Sequence, residues 1–229
     1  MRSLTQPFPD IGEQKCFHGN ETRKQSRQEG IHNMPVTYVN RKGHTYYLYQ
    51  GTRKSGKTFY YFSRDQKDNP LEEIPAGYAI KENVNGLVSL AKEKPQKITA
   101  EELALVEQWL QKEHKPGKYR VDRKRNYIEM YERSSAEYEE IAKIFAPFPG
   151  LPGAKERLKE HLDQTARYSG VMRFVLQNEQ TRTFAPQRMC YRGSVDDWID
   201  LYTIPSASLE HLCETLIPLL GTDEFFDLM

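Results

Sequence analysis

The pattern of apolar and polar positions changes period along the chain, and the changes mark its elements. From Thr45 to Gln50 and from Thr58 to Ser63, aromatic and β-branched residues crowd into two short runs separated by a Gly/Ser/Lys turn, which reads as a β-hairpin. With Ser55-Gly56 as a two-residue turn, Lys54 faces Lys57, Thr52 faces Phe59 and Tyr49 faces Phe62. Period-two alternation then puts Tyr46, Leu48, Phe59 and Tyr61 on one face. Tyr47, Tyr49, Tyr60 and Phe62 fall on the other, with Arg53 and Arg64. One aromatic face belongs to a core, and the other is covered by a helix or left as a surface for stacking.

A second hairpin follows the Ile74–Tyr78 turn, with Asn85-Gly86 as its tight turn. Thr99-Ala100-Glu101-Glu102 matches a capping box, so a helix starts at about Ala100, with Leu103, Val106 and Leu110 as its apolar stripe and Pro116-Gly117 beyond its end. Strands are expected at Lys118–Val121 and Tyr127–Tyr131 around the basic turn 122–126. Ser134 and Glu137 open a further helix carrying Tyr138, Ile141, Ile144 and Phe145, which the run Ala146–Gly153 breaks. A helix at about 154–168, a hairpin of Val171–Gln177 with Thr183–Tyr191, and a last helix at about 207–220 complete the order. Strands, helix, strands, helices, strands and helix in that sequence fit an α+β fold: antiparallel hairpins with a packed helix in the N-terminal half, helices and a further hairpin in the C-terminal half.

Residues 1–33 lack any period and read as a disordered leader, or as a segment outside the natural product with Met34 as the true start. The remainder divides into a β-rich basic part, 34–132, and a helix-rich acidic part, 133–229, which are two domains or one continuous fold. Charge supports that division. The stretch Tyr38–Arg64 holds six cations (Arg41, Lys42, Arg53, Lys54, Lys57, Arg64), eight aromatics and no acid, whereas Gly193–Met229 holds eight acids and no Lys or Arg. The net charge of +1 conceals this asymmetry. The 229 residues, 38% hydrophobic and 28% charged, contain no apolar run near the roughly 18 residues that span a bilayer, so no membrane partner is expected. Three cysteines without a CxxC pair supply neither a disulfide framework nor a zinc motif, and the expected setting is the cytoplasm.

Gly51–Thr58 spells the P-loop pattern GxxxxGK[ST], but a P-loop must open a helix and Phe59-Tyr60-Tyr61-Phe62 has strand preference, so nucleotide hydrolysis is rejected. His44, His114, His161 and His211 share no metal spacing; Cys190 reads as a small strand hydrophobe; Asp196, Asp197 and Asp200 read more simply as following a short helix start at Ser194 than as a cation site. No catalytic residue, metal or cofactor is assigned. What remains is a basic aromatic ribbon, of a kind that enters a DNA major groove or stacks on unpaired bases. The candidate nucleic-acid-binding residues are Tyr47, Tyr49, Arg53, Lys54, Lys57, Tyr60, Phe62 and Arg64. DNA or RNA is the expected partner. The alternative is a protein partner or self-association through the aromatic face.

The strings YYLYQGTRKSGKTFYYFS and IPAGYAIKENVNGLVSL, then FAPQRMCYRGSVDDWI and the ending GTDEFFDLM, resemble a family of uncharacterised bacterial proteins with no assigned activity. The resemblance covers nearly everything after Met34. It implies a bacterial, cytoplasmic protein starting at Met34 and carries over no site residue. In shape alone, the first hairpin is similar to the β-ribbon DNA-binding arms of some phage-type integrases.

Overall fold

The computed structural model describes residues 34–135, 141, 153–192 and 195–228. The expected leader, and most of the expected helix and break between Ser134 and Gly153, lie outside the described residues. The fold is α+β. Among the described residues, three antiparallel sheets are formed. Strands β1 (Thr37–Val39), β2 (Thr45–Thr52) and β3 (Thr58–Ser63) make the first, and β4 (Tyr78–Glu82) with β5 (Val88–Lys92) the second.

The largest sheet takes β6 (Tyr119–Arg123), β7 (Tyr127–Arg133), β8 (Tyr168–Asn178), β9 (Thr183–Arg192) and β10 (Val195–Asp200) in consecutive order. The short β11 (Ala207–Ser208) pairs beside β9. Chain from both sides of the 132/133 division thus contributes neighbouring strands to one sheet.

Alternation along these strands explains where the core lies. Ile128 and Met130 of β7, Met172, Phe174 and Leu176 of β8 and Phe184 of β9 are buried on one face. Helix α1 (Ala100–Glu113) covers that face with Val106 and Leu110, and α3 (Leu209–Leu216) covers it with Leu209, Leu212, Cys213 and Leu216. Each such large side chain contributes about 1.5–3 kcal/mol relative to remaining in water. The capping box opening α1 is present: Thr99 and Glu102 exchange side-chain to backbone hydrogen bonds. Helix α2 (Ala154–Thr165) buries no residue fully; Ala154, Leu158 and Leu162, spaced by four on one face, are half-buried, and the other faces are polar and exposed. A short helix α4 (Asp223–Asp227) follows, with Phe225 buried. No helix among the described residues is long and apolar enough to cross a membrane.

Three expected boundaries move. The helix expected at about 154–168 ends at Thr165, and Tyr168 already pairs with Arg133 at the start of β8. The segment following Ser194 is a strand, not a helix start, because Val195–Asp200 completes the ladder on β9 with Trp198 opposite Met189. The last helix begins at Leu209: Ala207–Ser208 still pairs with β9, and the Ser208 hydroxyl caps the helix by accepting from the His211 N–H. Pro218 cannot donate a helical hydrogen bond, and the chain tightens there into a 3-10 turn, Ile217–Leu219.

Candidate nucleic-acid interface

The hairpin β2–β3 forms with a register one residue away from the expected one. Thr52 pairs with Thr58, Gly51 with Phe59, Tyr49 with Tyr61 and Leu48 with Phe62. The cause is the turn. The Gly56 N–H donates to the Arg53 carbonyl at 2.9 Å, the Arg53 N–H donates to the Lys57 carbonyl at 2.9 Å, and Gly56 has φ +77°. This is the three-residue hairpin loop in which glycine takes the left-handed position after a turn, not a two-residue turn centred on Ser55-Gly56. Lys54 therefore does not face Lys57 across the ladder.

The same device recurs twice. Gly43 closes on Asn40 between β1 and β2, and Gly86 closes on Asn83 between β4 and β5, each with positive φ. There the asparagine side chain adds a clamp: Asn40 Oδ1 accepts from the Lys42 and His44 N–H groups, and Asn83 Oδ1 from those of Asn85 and Leu87.

Because the side-chain period is two, a one-residue shift exchanges the partners on each face. Tyr47, Tyr49, Phe59 and Tyr61 share one face; Tyr46, Leu48, Tyr60 and Phe62 share the other. The four aromatics expected to form one surface are thus split two and two. Tyr60 meets Tyr78 of β4 edge-on, with ring centroids 5.3 Å apart, and so belongs to the packing against the second sheet. Arg64 lies over the Tyr46 ring and donates to its hydroxyl at 3.2 Å.

The remaining face carries a ladder. Phe59 stacks on Tyr61 at 5.7 Å and Tyr61 on Tyr49 at 5.5 Å, with planes within 30°. Tyr49 is buried, its hydroxyl accepting the Lys67 N–H at 2.7 Å, whereas Phe59 and Tyr61 are half-buried. Cations sit at both rings: Arg53 is 5.7 Å from the Phe59 centroid, and the Lys67 ammonium is 5.3 Å from that of Tyr61. Arg53, Lys54 and Lys57 are exposed around the tip and pair with no carboxylate among the described residues. Sequence reading missed Phe59, Tyr61 and Lys67 as surface contributors. The available signal was Gly51, which faces Phe59 and leaves room for its ring.

The other sequence candidates are accounted for structurally. The residues after Thr58 form β3, so the GxxxxGKT string opens no helix and its backbone N–H groups do not converge as in a phosphate-binding loop. In the second basic turn, Lys124 bonds Asp122 at 2.5 Å and Arg123 reaches the Ile98 carbonyl at 3.4 Å. Cys213 lies in the core, where burial pushes its thiol up to about 12, while His211 is exposed on another side of α3. Asp197 and Asp200 are three apart on β10 and so point to opposite sheet faces; their carboxylates accept from the Trp198 N–H and from Gln187, respectively.

On the sheet face away from α1, Arg173 lies between the rings of Tyr127 and Trp198 (5.0 and 4.4 Å) and donates to Gln187 at 2.6 Å. Gln187 passes its own hydrogen bond to Asp200 at 2.7 Å. That array is internally satisfied and orders the sheet.

No family model matches the chain, and neither a curated protein nor a solved structure does.

Proposed function

We propose that the chain is a non-enzymatic binding protein that holds single-stranded nucleic acid on hairpin β2–β3. The observation that carries this reading is the half-buried pair Phe59 and Tyr61, stacked in one ladder with Arg53 and Lys67 at their rings. An unpaired base adds to such a ladder regardless of its identity, at about 1–3 kcal/mol per stacked base. Arg53, Lys54 and Lys57 neutralise the phosphates that follow. A duplex hides its base faces, so the ladder favours single strands over the major-groove mode available to a basic ribbon. The resemblance of the sequence to bacterial proteins supports a bacterial cytoplasmic setting.

The second reading uses the same aromatic face as a contact with a protein partner or a second copy. The two differ in salt response. Three phosphate contacts on a single strand give a slope of log K against log salt of about −2, whereas an aromatic protein contact gives a nearly flat line.

The test is binding of the full chain to labelled single- and double-stranded oligonucleotides across a salt series. It is repeated with Arg53, Lys54 and Lys57 changed together to Ala, and with Tyr61→Leu. Salt-dependent single-strand binding that both variants weaken supports the proposal. Absence of binding at low salt removes it and leaves the protein-contact reading.

A further inference from the structure

We propose a second site, independent of the hairpin tip: a phosphate-binding cavity where the hairpins meet the large sheet, built around Arg41, Lys115 and Arg120, with Lys42 behind it rather than in its wall. Beside the cavity, the turns at 40–43 and 83–86 meet the 166–168 segment on a small core of Val84, Ala166 and Tyr168. Asn40 donates to the Gly86 carbonyl at 2.6 Å, and Asn85 joins the Tyr168 backbone by two hydrogen bonds. The Lys42 stem packs over Gly86, and its ammonium donates to the Ala166 carbonyl at 2.9 Å. Arg120 donates to the Val84 carbonyl at 2.8 Å and lies 4.3 Å over the Tyr168 ring. Two cations are thus fixed by backbone carbonyls and an aromatic face, not by carboxylates.

Around Lys42 the neighbouring charges are cationic. Lys42 has Arg120, Arg167, Arg64 and Arg41 around it; its amine is held below the ordinary value first by burial and then by these neighbours. Arg41 pairs with Glu82 through its backbone and side chain, and the Tyr38 hydroxyl also donates to that carboxylate. Burial pushes the Glu82 carboxyl up, but these hydrogen bonds outweigh it and hold it below the usual range. Lys42, Lys115, Arg120 and Arg167 form no ion pair among the described residues. Packing like charges in this way is unfavourable, and an anion bound in the adjoining cavity relieves it.

Space for the anion is present. A cavity of about 400 Å³ has Arg41, Arg120 and Lys115 in its wall against one carboxylate, Glu107. That volume lies within the range of small-ligand pockets. A neighbouring cavity also borders Arg41 and Arg120, but its other wall is α2, where Glu156, Glu160 and Asp163 outnumber Lys159. The anion therefore belongs in the first cavity. A phosphate group suits it, because an arginine fork pairs two phosphate oxygens at once and a lysine adds a point charge. The source is a free phosphate ester or polyphosphate, or the backbone of a bound nucleic acid.

The experiment titrates the full chain with pyrophosphate, and separately with a uridine oligonucleotide, by calorimetry and thermal shift at matched ionic strength. Arg41→Gln and Lys115→Gln are expected to weaken binding at least tenfold each. Changing Arg53, Lys54 and Lys57 to Ala leaves pyrophosphate binding unchanged. Arg41 and Lys115 are both exposed side chains. Both variants should therefore remain folded. Binding of pyrophosphate that depends on Arg41 and Lys115 assigns a free phosphate ligand. Dependence seen with the oligonucleotide alone assigns a nucleic-acid phosphate. If neither probe binds, or binding ignores both substitutions, the site is refuted, while the hairpin reading stands on its own salt series.

Discussion

Phe59 lies flat across Gly51: a Cβ placed at position 51 would stand 2.6 Å from the ring's Cζ atom. The glycine and the aromatic are a cross-strand pair, so the bare backbone of one strand is covered by the ring of the other. The same contact holds the Phe59 ring where it can stack on Tyr61.

Gly51→Val therefore separates ring geometry from charge. The ring is the free end of a side chain and can swing away, so the fold should survive with a loss of about 1 kcal/mol. Single-strand affinity should fall, while Arg53, Lys54 and Lys57 remain in place. Chemical denaturation and the oligonucleotide titration read the two effects separately. Unchanged affinity with a displaced ring would exclude Phe59 from the interface.

Two turn glycines should respond unequally to alanine. Gly56 (φ +77°) and Gly86 (φ +80°) both hold conformations that L-residues adopt with strain, about 1 kcal/mol each. At Gly56 a new Cβ meets nothing within 4 Å, whereas at Gly86 it meets Asn40 Nδ2 at 3.1 Å and the Lys42 stem at 3.3 Å. Gly86→Ala should lower the denaturation midpoint clearly more than Gly56→Ala. Equal losses would show that the joint yields freely to the added methyl group.

These glycines also show where the sequence was legible and where it was not. Element types could be read because periods of two and of 3.6 are distinct, and because the Thr99–Glu102 capping box is local chemistry. Register could not be read as directly. Ser55-Gly56 and Asn85-Gly86 suit a two-residue turn, yet the glycine occupies the third loop position in each. At the β4–β5 turn Asn83, three residues before Gly86, carried the missing signal, since its side chain clamps the wider loop; the corresponding residue before Gly56 is Arg53, which carries none. One residue of error was enough to regroup Tyr47, Tyr49, Tyr60 and Phe62. The cation joint was invisible for another reason: Lys42, Arg120 and Arg167 meet only through long-range packing.

Glu129 supplies a pH test. Burial beneath the polar array raises its carboxyl above the ordinary value; the Tyr131 hydroxyl, Lys124 and Arg173 pull it back without cancelling the shift. The folded chain thus binds this proton more tightly than the unfolded chain. The residue's contribution to stability falls as pH rises from the unfolded value, about 4.3, through the folded one. Glu129→Gln should melt higher than the parent at pH 7, and the gap should close below about pH 4. A gap independent of pH would place its origin elsewhere.

Glu102 joins two elements through one carboxylate. It completes the α1 cap on the Thr99 N–H at 2.9 Å and receives the Arg182 fork at 2.6 and 2.9 Å. Arg182 sits in the β8–β9 turn at φ +51°, a strained conformation that this pairing and its bond to the Lys97 carbonyl help to hold. The cap alone is worth about 1 kcal/mol, and a hydrogen bond to a charged group about 1.5–3 kcal/mol. Glu102→Ala loses both and should destabilise more than Thr99→Ala. Arg182→Gly loses the fork but relieves the strain, so its net loss should be the smaller of the two. A double-mutant cycle between Glu102→Ala and Arg182→Gly should return a coupling of about 1–2 kcal/mol, because the residues are in direct contact. A coupling near zero would mean that the carboxylate serves the helix cap alone, and that the β8–β9 turn holds its conformation without it.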